Sequence, residues 1–368
     1  MRLPDDLDTP ALVVDAGRME KNLARMADAA AAGAIALRPH AKTHKCVQIA
    51  RRQLAYHAAG LTVATLAEAE LFAGAGCGRL FIAYPLWAGG GRRPRLAALH
   101  ERAELRAGVD SLAAAGELAA AVSGTGRPLQ VLIEIDSGQH RTGVAPRDAA
   151  ALAAGCLRLG LDVIGAFTHP GHAYLNPDGV AAAAADERSA LATVGEALEG
   201  LLGRAPVLSG GSTPTAYDGM ARPLTEARPG TYVFGDRQQM HLSGITEGDV
   251  ALVVAARVVS VPRPGEAVLD SGSKALSSDR PPWLTGHGRV LEAPEATVDV
   301  LSEEHAVVHG LRSRLAVGEL VRVIPNHVCT VVNLAHELVV VGDGTVADRW
   351  PVVTRRSSSS SAPQSISS

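Results

Sequence analysis

Short runs of branched and aromatic residues alternate with Ala- and Leu-rich stretches of helical length through roughly the first 240 residues. The strand candidates are AIAL (34–37), GLTVA (60–64), RLFIAY (79–84), ELRAGVD (104–110), LQVLIEID (129–136), LDVIGAF (161–167), APVLSGG (205–211) and EARPGTYVFGD (226–236). Between them lie stretches such as LAEAELFAGAG (66–76), RDAAALAAGCLRLG (147–160) and GVAAAAADERSALATVGEALEGLLG (179–203). Strands that recur after each helix demand a parallel sheet, because a parallel neighbour needs a crossover long enough to return to the same end. Eight such strands are the number that closes a (β/α)8 TIM-type barrel, predicted here over residues 16–242. No GxGxxG follows the first strand, so the usual dinucleotide signal is missing.

The pattern changes after residue 242. VALVVAARVVSVPRPGEAVLDSGS, ATVDVLSEEHAVVHG and GELVRVIPNHVCTVVNLAHELVVVGDG are β-branched runs broken by Gly, Pro and Asp, with no helix-length stretch. They predict an all-β domain over 243–354, which residues 1–15 join through the strand-like ALVVDAG (11–17). Residues 355–368, RSSSSSAPQSISS and its neighbour, have almost nothing apolar to bury and read as a disordered tail. A formal net charge of −3 gives no electrostatic footprint for nucleic acid, and 3% aromatics gives no base-stacking platform. No apolar run approaches a membrane span, and MRLPDDLDTP lacks the form of a signal peptide. The four cysteines are scattered, without a CxxC pair. Together these features predict a cytoplasmic protein.

Four constellations carry chemistry. The first is RPHAKTHK (38–45), which holds two of the chain's lysines, the others being Lys21 and Lys274. If AIAL is a barrel strand, Lys42 lies just past its C-terminal end, where barrel enzymes place their active sites. A lysine flanked by apolar walls there has a depressed pKa and attacks carbonyls; alone, the segment also reads as a solvated basic turn. The second is LSGGSTPTA (208–216) with RPGTYVFGD (228–236), after the last two strand candidates. Gly211, Ser212 and Thr213 with Gly230, Thr231 and Tyr232 offer backbone N–H groups and hydroxyls where barrels bind phosphate. A lysine opposite a phosphate cradle points to pyridoxal 5′-phosphate, although Gly-Ser-Thr-Pro is also ordinary loop material.

The third is PNHVCTVVNL (325–334). His327 and Cys329 are two apart, so on an extended strand both face one way. Imidazole and thiolate make a zinc pair, and two ligands suit an open catalytic site more than a closed structural one; a buried cysteine beside a capping histidine is the alternative. The fourth is THPGHAY (168–174), which brings His169, His172 and Tyr174 to the same barrel end as possible acid–base groups. Arg141, in DSGQHRTG, can hold a cofactor or carboxylate group, or simply lie on the surface.

Taken together, TPALVVD, RPHAKTHK, GLTVATLAEAE, DSGQHRTG, HPGHAY, SGGSTPTA, RPGTYVFGD, DSGSKALSSD and PNHVCTVVNL resemble the fold-type III pyridoxal phosphate enzymes, in the branch of D-serine dehydratases and D-threonine aldolases. The resemblance runs from residue 9 to about 350. It implies an alanine-racemase-like barrel with a β domain, a homodimer, and Lys42 as the lysine that carries the cofactor. It implies cofactor contacts from Arg141, Tyr174, Gly211–Thr213 and Gly230–Tyr232, and a metal on His327 and Cys329. Zinc is expected from the thiolate, with manganese or magnesium as harder alternatives. The implied reaction is lysis of a 3-hydroxy D-amino acid, with D-serine dehydration to pyruvate and ammonia first. In it Lys42 takes the Cα proton. Retro-aldol cleavage to glycine and an aldehyde, with His172 as base, is the alternative. Racemisation and non-catalytic cofactor binding are more distant ones.

Overall fold

The computed structural model describes residues 1–312 and 314–353. The tail expected at 355–368 lies outside the described residues. The chain opens with β1 (Ala11–Asp15) and α1 (Ala16–Ala32). Asp15 caps α1, its carboxylate accepting from the Arg18 N–H at 2.9 Å. There follow β2 (Ala36–Leu37), α2 (Val47–Ala55), β3 (Leu61–Val63), α3 (Leu66–Gly74), β4 (Arg79–Pro85), α4 (Arg92–Arg102), β5 (Glu104–Val109), α5 (Leu112–Val122) and β6 (Gln130–Glu134). The alternation continues through α6 (Ala149–Arg158), β7 (Asp162–Phe167), α7 (Val180–Leu202), β8 (Val207–Gly210), α8 (Thr213–Gly219), β9 (Glu226–Ala227) and α9 (Arg237–Leu242).

Strands β2 to β9 form one parallel eight-stranded sheet in the order β2-β9-β8-β7-β6-β5-β4-β3. The sheet curls until its edges touch. His40 bridges Thr62, and Thr62 Oγ1 donates to the Arg38 carbonyl at 2.8 Å. This is the barrel-class architecture that the alternation predicts, and the alanine-racemase-like one that the resemblance implies. Covered by helices outside and side chains inside, the strands read as continuous apolar runs rather than alternating ones; β7, for example, is buried from Val163 to Phe167. Inside the barrel lies a polar girdle. Glu226 meets Arg38 at 2.7 Å and Arg106 at 3.1 Å, and accepts from Ser209 Oγ at 2.7 Å.

The eighth strand is shorter than expected. Only Glu226–Ala227 pair, and the aromatic stretch that follows forms a 3₁₀ turn at Thr231–Val233. Pro229 supplies no N–H to a ladder, and Gly230 lets the loop pass so close to Thr43 that a Cβ there would sit 2.6 Å from its Oγ1.

The second sheet contains β10 (Leu252–Ser260), β11 (Glu266–Leu269), β12 (Gly288–Val290), β13 (Thr297–Leu301), β14 (Ala306–His309), β15 (Leu320–Pro325), β16 (Glu337–Gly342) and β17 (Thr345–Pro351). Its order is β13-β14-β11-β10-β1-β16-β17, with β15 pairing β10 and β12. Strand β1 runs antiparallel to β10 and parallel to β16, and α1 then leads directly into the barrel. A second buried cluster, including Met19, Leu23, Tyr232, Val254 and Val323, joins α1 and the barrel mouth to this sheet.

Two helices interrupt the strands, α10 (Ser273–Leu276) and α11 (Val328–Leu334). The expectation of an extended strand through His327 and Cys329 is therefore corrected. His327 is the N-cap residue of α11, and Cys329 lies in its first turn. The cause is remote in sequence. Asp236 Oδ2 accepts from the Val328 N–H at 2.9 Å and supplies the anionic cap that starts the helix. No helix among the described residues is long and apolar enough to cross a membrane.

Candidate active site

Lys42 sits in a single 3₁₀ turn, Ala41–Thr43, immediately past β2. His40 opens that turn, its Nδ1 accepting from the Lys42 N–H at 3.4 Å. Burial pulls the Lys42 amine below the ordinary lysine range; the Cys329 thiolate opposes this, and the Arg141 and Arg228 cations reinforce it. Burial also drives His40 and His169 well below the ordinary histidine range, so both rings are neutral at the mouth of the barrel.

An inner pocket lies between Lys42 and the loops after β8 and β9. Arg141, Tyr174, Gly211, Ser212, Thr213, Gly230 and Thr231 all line it, as the sequence led us to expect of these positions. Ser212 caps α8, with its N–H donating to Thr215 Oγ1 at 2.9 Å. Gly211 takes a left-handed φ of 79°, which brings the chain into that cap at low cost. Thr213 and Thr231 head short helical turns, so their N–H groups have no acceptor within those turns. Tyr174 lies beside Ser212 and Gln239, and burial pushes its phenol far above the usual range.

The structure places two expected residues elsewhere. Tyr232 buries its ring in the core and accepts from Gln53 Nε2 at 3.1 Å; only its N–H reaches the site, donating to Thr213 Oγ1 at 3.2 Å. His172 is absent from the pocket lining. Its Nε2 lies 3.3 Å from Asp186 Oδ2, and its ring packs on Gly138. His169 takes the position facing Lys42.

Among the lining residues that the sequence reading did not single out, three bear on the site's chemistry. Arg228 is buried, stacked near Phe167 at 5.3 Å and Phe81 at 5.6 Å, and donates to Ser209 Oγ at 2.6 Å and the Thr168 carbonyl at 2.5 Å. Glu134, at the end of β6, is buried with Oε1 accepting from Thr142 Oγ1 and Oε2 without a partner. Thr43 is the third, and it links the lysine turn to Cys329.

On the other side of Lys42 a cavity of about 760 Å³ opens, lined by Lys45, Glu68, Ser277, Cys329 and Asn333 among others. Cys329 Sγ lies 3.3 Å from Thr43 Oγ1 and 3.7 Å from Thr231 Oγ1. His327 and Cys329 face one another. Burial opposes charge on both, yet the mutual attraction prevails: the ring is held well above the ordinary histidine range and the thiol below the ordinary cysteine range. Asp279 Oδ2 grips His327 Nδ1 at 2.6 Å, which leaves Nε2 to a ligand. Asp236, raised by burial to about 6, anchors the helix that carries the pair. Among the described residues no group of three or more His, Cys, Asp and Glu side chains is arranged around one ion position. The pair thus fits an ion that keeps open positions, and its sulfur donor, pulled toward the ionised form, fits a soft or borderline one. The inner pocket fits pyridoxal phosphate equally well. It offers an amine biased toward its neutral form, backbone and hydroxyl donors opposite it, and a buried carboxylate oxygen awaiting a partner.

The residues 14–238 match the family model of the alanine racemase N-terminal domain, and 251–341 match that of a putative serine dehydratase domain. The chain is 36% identical to D-threo-3-hydroxyaspartate dehydratase of Delftia sp. (strain HT23), over 88% of this chain and 91% of that one. It is 32% identical to D-threonine aldolase of Arthrobacter sp, over 95% and 93%. A solved cysteine-to-alanine variant of D-threo-3-hydroxyaspartate dehydratase, in the metal-free form, superposes with a TM-score of 0.88 at 33% identity, covering 95% of this chain and 98% of that one. With barrel, strand domain and lysine turn all in place, the chain belongs to the alanine-racemase-like, fold-type III family of pyridoxal phosphate-dependent lyases.

Proposed function

We propose that this protein is a divalent-metal-dependent lyase of 3-hydroxy D-amino acids that eliminates water, with D-serine as the simplest substrate. One observation carries the reading: the Lys42 turn and the Cys329 thiolate border the same cavity. A substrate whose amino group meets the lysine side therefore presents its 3-hydroxyl toward the His327–Cys329 pair. The metal-free form of a cysteine-to-alanine variant of the dehydratase relative supports a metal role for a cysteine in this fold, and Cys329 is the cysteine that borders the cavity.

Pyridoxal phosphate, when bound, supplies an electron sink for negative charge at the substrate Cα. Lys42 would hold the cofactor's carbonyl end, and Tyr174, Ser212, Thr213, Gly230 and Thr231 would hold its phosphate. Arg228 fills the pocket floor with fixed positive charge. A divalent ion on His327 and Cys329, zinc by donor softness, supplies Lewis acidity at the leaving oxygen. Asp279 orients His327 toward that ion. Lys42, with its amine biased toward the neutral form, takes the Cα proton; His40 and His169, both neutral, leave it uncontested by neighbouring imidazolium.

The experiment is incubation of the purified, metal-supplemented protein with D-serine, D-threonine and D-threo-3-hydroxyaspartate. Separate assays follow for 2-oxo acid with ammonia and for glycine with aldehyde. Oxo acid and ammonia in equal amounts support elimination. Glycine with aldehyde moves the reading to retro-aldol cleavage, the chemistry named for the Arthrobacter relative.

A further inference from the structure

Ser277 ends α10 with φ 60° and ψ 155°. Glycine enters this region freely, and other residues enter it only under strain. The Ser277 N–H donates to the Ser273 carbonyl at 3.0 Å, a bond that glycine would make as well. What serine adds is a hydroxyl, and Ser277 Oγ accepts from the Asp279 N–H at 3.2 Å. Asp279 is the carboxylate that meets His327 Nδ1 at 2.6 Å. It is exposed, so hydrogen bonds rather than packing hold it in place. Asn326 Nδ2 supplies one of them, donating to the Asp279 carbonyl at 3.3 Å. The start of the segment is braced by the turn between β13 and β14. There the Ser273 and Lys274 N–H groups donate to the Ser302 and Glu303 carbonyls at 2.8 and 3.1 Å, and Lys274 Nζ meets Glu303 and Glu304 at 2.7 Å each. Only Ser278 separates Ser277 from Asp279, so the direction of the chain at Ser277 decides where that carboxylate arrives.

We propose that Ser277 is a positioning residue for the metal pair: its strained backbone and its hydroxyl together set the Asp279 carboxylate against His327 Nδ1. The inference rests on the reading of His327 and Cys329 as metal ligands. An exposed aspartate on a free loop samples many rotamers, and ordering it beside the imidazole would cost entropy each time an ion binds. Ser277 fixes the backbone of that aspartate in advance, so the imidazole is already oriented when the ion arrives. The strain is thus held where it serves binding, next to a cavity that Ser277 and Cys329 both line. A purely structural role predicts something else. If Ser277 did no more than end α10, glycine would suit the same φ and ψ, and the metal pair would not register the exchange.

The test uses cofactor-loaded protein stripped of metal by chelation. Zinc affinity is read by competition with a chromogenic chelator, and melting temperature is measured before zinc is added. Ser277→Gly is the informative variant, because this backbone accepts glycine and the protein should fold. It relieves the strain, although glycine also adds freedom to the unfolded chain. The metal-free variant should therefore melt no lower than the parent, yet bind zinc about tenfold more weakly. Ser277→Ala keeps the strain and loses the hydroxyl, so it should melt below Ser277→Gly and bind zinc several-fold more weakly than the parent. In an Asp279→Ala background there is no carboxylate left to place, and adding Ser277→Gly should change zinc affinity less than about twofold. Unchanged zinc affinity in Ser277→Gly would overturn the inference. So would a full tenfold loss in the Asp279→Ala background, or a melting temperature of metal-free Ser277→Gly below that of the parent. No zinc binding by the parent protein would instead remove the metal reading, and this inference with it.

Discussion

Two sets of ionisable groups meet around Lys42, and their surroundings treat charge in opposite ways. At the barrel mouth Lys42, His40 and His169 are buried among one another's positive charge, and all are driven toward neutral forms. At the strand-domain edge His327 and Cys329 are buried too, but each ionises the other. Burial alone would push both sets the same way. The difference comes from the partner: like-signed neighbours add to desolvation, whereas an acid–base pair offsets it. The lesson is chemical. An amine and imidazoles biased toward their neutral forms suit proton abstraction and carbonyl attack, whereas a thiol pulled toward its ionised form beside an oriented imidazole suits a metal ion.

The comparison breaks most visibly at Lys42. Lys42→Ala should reduce turnover by about 10²–10⁴-fold or more, because no other lining amine replaces its proton transfer. Lys45 is held 2.5 Å from Asn333 Oδ1 on the outer wall. Steady-state rates of the folded, cofactor-supplemented variant check this.

Acid sharpens the contrast on the barrel side. His44, buried against Gln53, is brought by burial from 6.5 to about 4. A neutral form favoured in the folded chain gives stability that is complete above pH 6.5. That stability is lost as pH falls toward 4, by on the order of 3 kcal/mol. Urea unfolding of the cofactor-free protein across this window should show the decline, and His44→Gln should flatten it.

On the metal side, Asp279→Asn should cost about 10–100-fold in metal affinity, because His327 loses the carboxylate that orients it. Competition with a chromogenic chelator measures it, and cofactor absorbance should stay unchanged. Ser212→Ala gives the smallest effect. Its hydroxyl caps α8, so about 1 kcal/mol of stability should go with the cap, with a further loss of cofactor affinity if the hydroxyl also meets phosphate. Thermal melts with and without cofactor separate the two.

The barrel was legible in the sequence because parallel strands buried on both faces print as uninterrupted apolar runs. Lys42 and the loop after β8 were legible for the same reason, since each follows such a run. The HisXCys helix was not. VCTVVNL is rich in β-branched residues, and the cap that overrides their strand preference comes from Asp236, 92 positions away. Glu134 and Arg228 were hidden differently. Each is one polar residue in or beside a strand, and only closure of the sheet brings them to a common pocket. The choice of His169 over His172 depends on the phase of a short 3₁₀ turn, which spacing alone does not set.

The central claim is that the lysine just past β2 carries the cofactor. Borohydride reduction of the cofactor-loaded protein, followed by digestion and mass mapping, tests it directly. The account predicts one stable pyridoxyl adduct, on Lys42, and none on Lys45 or Lys274. An adduct on either of those lysines, or a protein that takes up pyridoxal phosphate without fixing it at Lys42, would contradict it.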